Sequence, residues 1–287
     1  MANFREYSSR LAAMSGMRRV TATMKMVAAS HLHRAQTELR HPEPFAEILR
    51  KLMPMARGLG VAAHRVCAVP PAQGSRILLL VMSAHRGLCG AFNSSIIREV
   101  RRWTHEQAEA RGAQFEALYA GQKACAALKA EIAPCMAPLA VAAHPTSQET
   151  ASLSRYAMDG FLANRYDEVW VAGNRFVSPM TQETTVRRLL PFEVEMFAGE
   201  KDVPEIIEPR DDRMITVLAR QWLHLEVYTC LLHSVASEHA ARVMAMENAT
   251  INLRRMEKEL VLLRNRARQA AITKELTEIV SGAESLG

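Results

Sequence analysis

The sequence predicts an α/β protein: a long antiparallel coiled coil of its N- and C-terminal helices plus a small α/β domain with a mainly parallel sheet. Three observations carry this. Ala236 to Gly287 contains no proline, and its only glycines are Gly282 and Gly287. Asn3 to His41 has no proline and one glycine, Gly16. Between these ends, apolar runs of strand length alternate with helical patterns, the order expected of a parallel sheet covered by helices.

The N-terminal stretch repeats apolar residues at Phe4, Tyr7, Leu11, Met14, Met17, Val20, Met24 and Val27. The steps are 3,4,3,3,3,4,3, so the pattern carries one extra step of three, a stammer that overwinds a coiled coil locally. Pro42 and Pro44 kink or end this helix, and a helical pattern resumes from Phe45 to Met55. The C-terminal seam reads Leu253, Met256, Leu260, Leu263, Ala267 and Ala270, a 3,4 repeat that narrows from Leu and Met to Ala. Fifty helical residues span roughly 75 Å, too long to be buried in a small domain, so the two ends need each other.

In the middle, Arg76 to Ser83 is a continuous apolar run, as in a strand buried on both faces. A helix follows from Ser94 to Gly112, a strand from Gln114 to Ala120, and a short helix from Gln122. Leu139 to Ala142 reads as a weak third strand, Ser147 to Asn164 as a helix, and Asp167–Ala172 and Thr184–Leu190 as further strands. The expected organisation is a first coiled-coil helix in 1–57 with a kink near Pro42, an α/β domain in 74–195, and a second coiled-coil helix in 208–287.

The 287 residues are 49% hydrophobic and 23% charged, an ordinary globular composition. No apolar run approaches the ~20 residues of a membrane span, and the N-terminus lacks an apolar signal region, so a bacterial-type cytoplasm is expected. Five cysteines at wide spacings, with no CxxC, point to reduced thiols. His31 and His33 lie two apart on a helix and face different sides, which argues against a metal site. Charge is unevenly placed: residues 1–40 hold seven Lys or Arg against two acids, and 250–287 hold seven against five. The middle therefore stands at −1 in a chain of net +6. A basic helical stalk suits an acidic partner or nucleic acid. A scaffold binding either is one reading open at this point, and a solvated helical face is another.

No catalytic constellation stands out. The turn Arg86-Gly87-Leu88-Cys89-Gly90 joins a strand to a helix but matches neither GxGxxG nor the phosphate loop ending in Gly-Lys-Ser/Thr. Cys89 has no base placed by sequence to activate it. No cofactor and no metal are expected.

Four blocks of residues carry a resemblance. They are Met24-Lys25-Met26-Val27-Ala28-Ala29-Ser30; Arg86 to Gly90 with Asn93; Asn174-Arg175-Phe176 with Gln182 and Leu189-Leu190-Pro191; and the long run from Ala236-Ser237-Glu238-His239 through Arg242, Asn248-Ala249-Thr250 and Ala267 to Thr273, then Glu275 to Val280. On these the chain resembles the gamma subunit of F-type ATP synthases, over essentially its full length. The resemblance implies a non-catalytic rotor stalk. Its paired helices stand inside a ring of three alpha and three beta subunits, and its α/β domain rests on the membrane-embedded c-ring beside the epsilon subunit. Ion-driven rotation of the shaft then forces the beta sites through different affinities. It implies partner contacts at Met24 and Lys25, facing an acidic segment of beta; at Arg268, Gln269 and Thr273, facing a loop of the ring; and at Arg242, Glu275 and, near the c-ring, Glu208. It implies no nucleic-acid partner, membrane contact only through the c-ring, and a peripheral position on the cytoplasmic face of a bacterial inner membrane. The chain departs from the family pattern at His85, Ala91, Met14 to Thr21, Ile206-Ile207 and Leu253-Arg254-Arg255, and so reads as a divergent member.

Overall fold

The computed structural model describes residues 2–52, 65–67, 70, 73–193 and 212–284. In chain order the elements are α1 (Ala2–Glu38), α2 (Glu43–Leu52), a 3-10 turn (Arg65–Cys67), β1 (Arg76–Met82), α3 (Phe92–Arg111), β2 (Gln114–Ala120), α4 (Gln122–Leu128), β3 (Ala133–Pro134), α5 (Ser147–Leu162), β4 (Glu168–Phe176), β5 (Gln182–Leu190) and α6 (Asp212–Glu284). The chain divides into two compact units, 1–28 with 242–287, and 29–241.

In the larger unit the sheet order is β3-β2-β1-β4-β5. β1 pairs in parallel with β2 and β4, β2 pairs in parallel with β3, and β5 is antiparallel to β4. The apolar run of β1 exists because both its faces are covered. Leu78, Leu80 and Met82 join one core with α5 and the first half of α6, while Ile77, Leu79 and Val81 join another with α3 and α4. Alternate side chains of a strand point to opposite faces, so one strand serves two cores.

The third strand differs from the expectation. Residues 139–142 make only an isolated bridge, Leu139 to Ala120, and the paired segment is Ala133–Pro134. Pro134 and Pro138 lack the N–H a ladder needs, so pairing on this edge of the sheet stays intermittent. Hydrogen bonds from Leu139 N to Tyr119 O (2.8 Å) and from Gly121 N to Leu139 O (2.9 Å) pin this stretch to the end of β2.

The ends of β1 and β2 touch where Gly121 has φ +93°, and a Cβ built there lies 2.1 Å from the Ser83 carbonyl oxygen. Only glycine allows that backbone and that approach together. The start of the sheet is tied by Asp167, which accepts from Arg76 N (2.9 Å), Nε (3.1 Å) and Nη2 (3.0 Å). The Arg76 guanidinium holds the Asp167 carboxyl below its ordinary range.

In the smaller unit α1 and α6 run antiparallel. Arg18 Nε donates to Glu257 Oε1 (3.1 Å), the Thr21 and Thr250 hydroxyls lie 3.0 Å apart, and Lys25 pairs with Glu247. The seam is not the one read from apolar spacing. On α1 the half-buried or buried positions include Phe4, Tyr7, Leu11, Met14, Arg18, Thr21, Lys25 and Ala28; on α6 they include Met246, Thr250, Leu253, Glu257, Leu260, Arg264, Ala267 and Ala271. Both series keep an unbroken alternation of three and four, so α1 has no stammer. Met17, Val20, Val27, Met256 and Leu263, expected in the seam, are 42–58% exposed. Met24 and Ala270 also leave the main series, to flank it or face out. Polar residues hold the inner positions in their place, because a regular superhelix follows the heptad and not the nearest apolar residue.

Two predictions follow from these contacts. Gly121→Ala forces a side chain into a backbone carbonyl at a glycine-only φ, so the denaturation midpoint drops with an unchanged m-value, a loss of about 1–3 kcal/mol from the conformation alone. A loss under about 0.5 kcal/mol would show that the two strand ends are free to part. In a Thr21→Cys, Thr250→Cys chain, mild oxidation links α1 to α6. A Met24→Cys, Leu260→Cys pair, offset from the observed Thr21–Thr250 register, stays unlinked, and the reverse outcome overturns the register.

Candidate functional site

The basic N-terminal half of α1 does not present all its charge to solvent. Arg18 and Lys25 are engaged by Glu257 and Glu247 across the helix pair. Met24 is half-buried beside the seam. Arg242, also half-buried, makes contacts within the chain. Arg18 and Lys25 thus help to hold the pair together, and all four positions offer only part of their surface outward.

The distal part of α6 is different. Arg268, Gln269, Thr273 and Glu275 are all exposed. The Thr273 hydroxyl donates to the Gln269 carbonyl at 3.0 Å, one turn back on the same helix. Arg268, the Gln269 amide and Glu275 have no hydrogen bond or ion pair among the described residues. Half-burial on α6 ends at Ala271, and from Ile272 to Ser281 every position is exposed. Ile272, Leu276, Ile279 and Val280 repeat at i, i+4, i+7 and i+8, an apolar stripe of amphipathic spacing with 46–67% exposure. Thirteen residues from 272 to 284 extend about 20 Å at the helical rise. Glu208 lies outside the described residues.

A second apolar face, missed from the sequence, runs along the outside of the pair. Met17, Val20, Met26 and Val27 on α1 and Ile251, Met256, Leu262 and Leu263 on α6 are 42–66% exposed. Most of these were assigned to the seam because they are apolar at near-heptad spacing. The available signal was the stammer itself: two overlapping series, one of them regular through Arg18, Thr21 and Lys25, fit α1 better than one broken series. Apolar positions on both sides of a helix mean a seam inside and a contact surface outside.

The Arg86–Gly90 turn is a structural joint. Leu88 and Gly90 adopt positive φ of 62° and 57°. Cys89 is 1% exposed inside a core. The Asn93 amide donates to Cys89 Sγ (3.1 Å), and its Oδ1 accepts from Ala84 N (3.0 Å). Asn93 thus cross-braces the turn. A cleft of about 400 Å³ lies between β4, β5 and α6, lined by Asn174, Arg175, Arg187, Cys230 and His233 among others. Arg187 is bound to Glu226 (2.5 Å) and Cys230 Sγ (2.9 Å). Burial, and then Arg175 and Arg187, push the His233 imidazole down, and burial pushes the Cys230 thiol up. Both groups are held neutral by their surroundings, which suits packing against the sheet better than nucleophilic chemistry.

Among the described residues no group of three or more His, Cys, Asp or Glu is placed to hold a metal ion, and no helix is long and apolar enough to cross a membrane.

Comparison with known proteins bears on this arrangement. Solved structures share the fold. One chain of the Euglena gracilis mitochondrial ATP synthase OSCP/F1/c-ring assembly has a TM-score of 0.70 at 16% identity, over 99% of this chain and 95% of that chain. A chain of the Tetrahymena thermophila mitochondrial ATP synthase central stalk and c-ring has a TM-score of 0.62 at 24% identity, over 80% of this chain and 99% of that one. The gamma chain of ATP synthase from Geotalea uraniireducens is 36% identical over 291 aligned positions, covering 100% of this chain and 99% of that protein. The gamma chain from Roseiflexus sp. is 32% identical over 290, again covering 100% and 99%. A family model described as ATP synthase matches residues 3–286. An antiparallel helix pair with an apolar outer face, in a chain whose other unit is a mainly parallel sheet, thus comes with full-length kinship: the chain belongs to the ATP synthase gamma chain family.

Proposed function

We propose that the chain is the central rotor stalk of an F-type ATP synthase, coupling rotation of an ion-driven c-ring to conformational change at the catalytic sites of three beta subunits. It takes no part in covalent chemistry itself. The observation that carries this reading is the bare end of α6. Beyond Ala271 the helix leaves its seam yet keeps an apolar stripe, and just before that point Arg268 and Gln269 form an unengaged polar patch. A helix end with such a surface needs a surrounding partner. Small residues at Ala267, Ala270 and Ala271 keep the end slim, so that its contacts with a ring are shallow enough to exchange during a turn.

In this reading 1–57 and 208–287 form the shaft and 74–195 the foot. The foot meets the c-ring, with Glu208 beside it, and the epsilon subunit. Met24 and Lys25 face an acidic segment of beta, and Arg242 and Glu275 complete the contacts along α6. Lys25 then exchanges between Glu247 of its own chain and a partner carboxylate. Exposed pairs of this kind are individually worth about 0–1 kcal/mol, so the exchange is cheap. Membrane contact runs through the c-ring alone, and the complex sits on the cytoplasmic face of a bacterial inner membrane. A basic scaffold for nucleic acid fits less well. Arg18 and Lys25 already have acidic partners in the helix pair, which lowers the free positive charge on that face.

The test is substitution at the tip. Arg268→Ala with Gln269→Ala touches no described intrachain side-chain contact, so the melting of the isolated chain stays within a few tenths of a kcal/mol of the unmodified one. Assembly with alpha and beta subunits, or ATP turnover of the reconstituted complex, falls about tenfold to a hundredfold, as expected for loss of one charge-assisted hydrogen bond of roughly 1.5–3 kcal/mol. A double variant that assembles and turns over like the unmodified chain removes the polar patch from the contact.

A further inference from the structure

The cleft of about 400 Å³ against β4, β5 and α6 lies wholly within the larger unit. Strand alternation builds its floor. Val171, Gly173 and Arg175 share one face of β4, the face on which Val171 packs with the first half of α6. The strand register sets Thr185 opposite Gly173 and Arg187 opposite Val171. Gly173 brings no side chain, so the floor is low at that point; a Cβ there would lie 3.1 Å from Met82 Cβ. On the α6 side, Thr229, Cys230 and His233 close the wall.

Several donors in this wall are left without a partner. His233 Nδ1 is buried and has no hydrogen bond among the described residues. Arg175 is exposed and makes no hydrogen bond or ion pair among them. Arg187 uses only Nη2, toward Glu226 and Cys230 Sγ, and its Nε and Nη1 stay unbonded among the described residues. Arg175 and Arg187 both lie near enough to His233 to oppose its protonation. Two guanidinium groups and an imidazole therefore face one space, with a short apolar floor beneath them.

We propose that this cleft binds a small organic anion, an oxyanion head of the phosphate or carboxylate kind on a short apolar body. The head sits between Arg175, the free edge of Arg187 and His233, and the body lies over Val171 and Gly173. Guanidinium groups suit such a head because their planar N–H pairs match two oxygens at once. The cleft is of the size that takes a small organic molecule, larger than a bare ion needs. The nearby carboxylates leave room for it. Glu226 is held by Arg187. Glu183, across the strand pair from Arg175, is exposed and is not ion-paired to it. Burial keeps the Cys230 thiol protonated, so it adds no negative charge. Such a site neither requires nor excludes a rotor.

His233 reports on occupancy. Burial, and then Arg175 and Arg187, hold its imidazole below the ordinary range. An anion that offsets the two guanidinium charges favours the imidazolium, so binding moves the His233 titration to higher pH. The test uses the full-length chain at pH 7.5, with butyl phosphate, hexanoate and inorganic phosphate as probes, followed by calorimetry and by histidine NMR signals. Saturable binding of butyl phosphate, hexanoate or both is expected below about 1 mM, and which of them binds separates a phosphate head from a carboxylate one. Inorganic phosphate binds about tenfold more weakly than butyl phosphate, for want of a body on the apolar floor. Arg175→Gln weakens binding about tenfold, the loss of one charge-assisted hydrogen bond. Arg155→Gln removes the same charge from an exposed position on α5 that does not line the cleft, and leaves binding unchanged. The absence of saturable binding by any probe overturns the site, as does an equal loss in both variants. Inorganic phosphate binding as tightly as butyl phosphate overturns the apolar body. Saturable binding that leaves the His233 titration unmoved places the anion elsewhere and also overturns the site, a readout that needs no variant to fold.

Discussion

A long helix must decide which of its faces is inner, and in the 1–28/242–287 unit that decision follows the heptad. Once Thr21 meets Thr250 and Arg18 meets Glu257, every third and fourth residue along both helices is committed to the seam. Methionine, valine and leucine residues one step away are then carried outward. The apolar outer face and the bare end of α6 are consequences of this one register. A slip of one residue would bring Met17 or Met256 inward and carry the ion-paired residues outward.

The seam that results is polar for a coiled coil. Arg18, Thr21 and Lys25 face Glu257, Thr250 and Glu247, with alanine at Ala28, Ala267 and Ala271. Such a seam holds less tightly than leucine packing, but it specifies alignment, because a misplaced charge finds no partner. For a stalk whose outer face stays apolar, one fixed register matters more than depth of burial.

The sheet unit works on the opposite rule. β1 is covered on both faces, and its odd and even side chains close two separate cores. The first half of α6 packs into one of these cores, from Ile215 to Val235, so one continuous helix is anchored in apolar packing at one end and exposed at the other. The turn after β1 owes its shape to Leu88, Gly90 and Asn93 and not to any ligand.

Much of the architecture was legible in the residues alone. The two proline-free ends, the continuous apolar run of β1 and the alternation of strands and helices marked the helix pair and the parallel sheet, because periodicity and backbone chemistry are local. The exposed positions of Arg268, Gln269, Thr273 and Glu275 were reached through the motifs around them. The weak third strand was misplaced because two prolines interrupt that edge. The seam was misread because hydrophobicity at near-heptad spacing does not say which of two adjacent stripes turns inward. Only the partner helix answers that: Glu257 and Glu247 lie more than two hundred residues from Arg18 and Lys25, and nothing in either segment by itself announces the pairing. The contact of His31 Nδ1 with His144 Nε2, 2.9 Å apart, was invisible for the same reason. The sequence by itself determined the helices and the central strands; the tertiary structure alone decided which faces meet, since that depends on contacts between residues the chain keeps far apart.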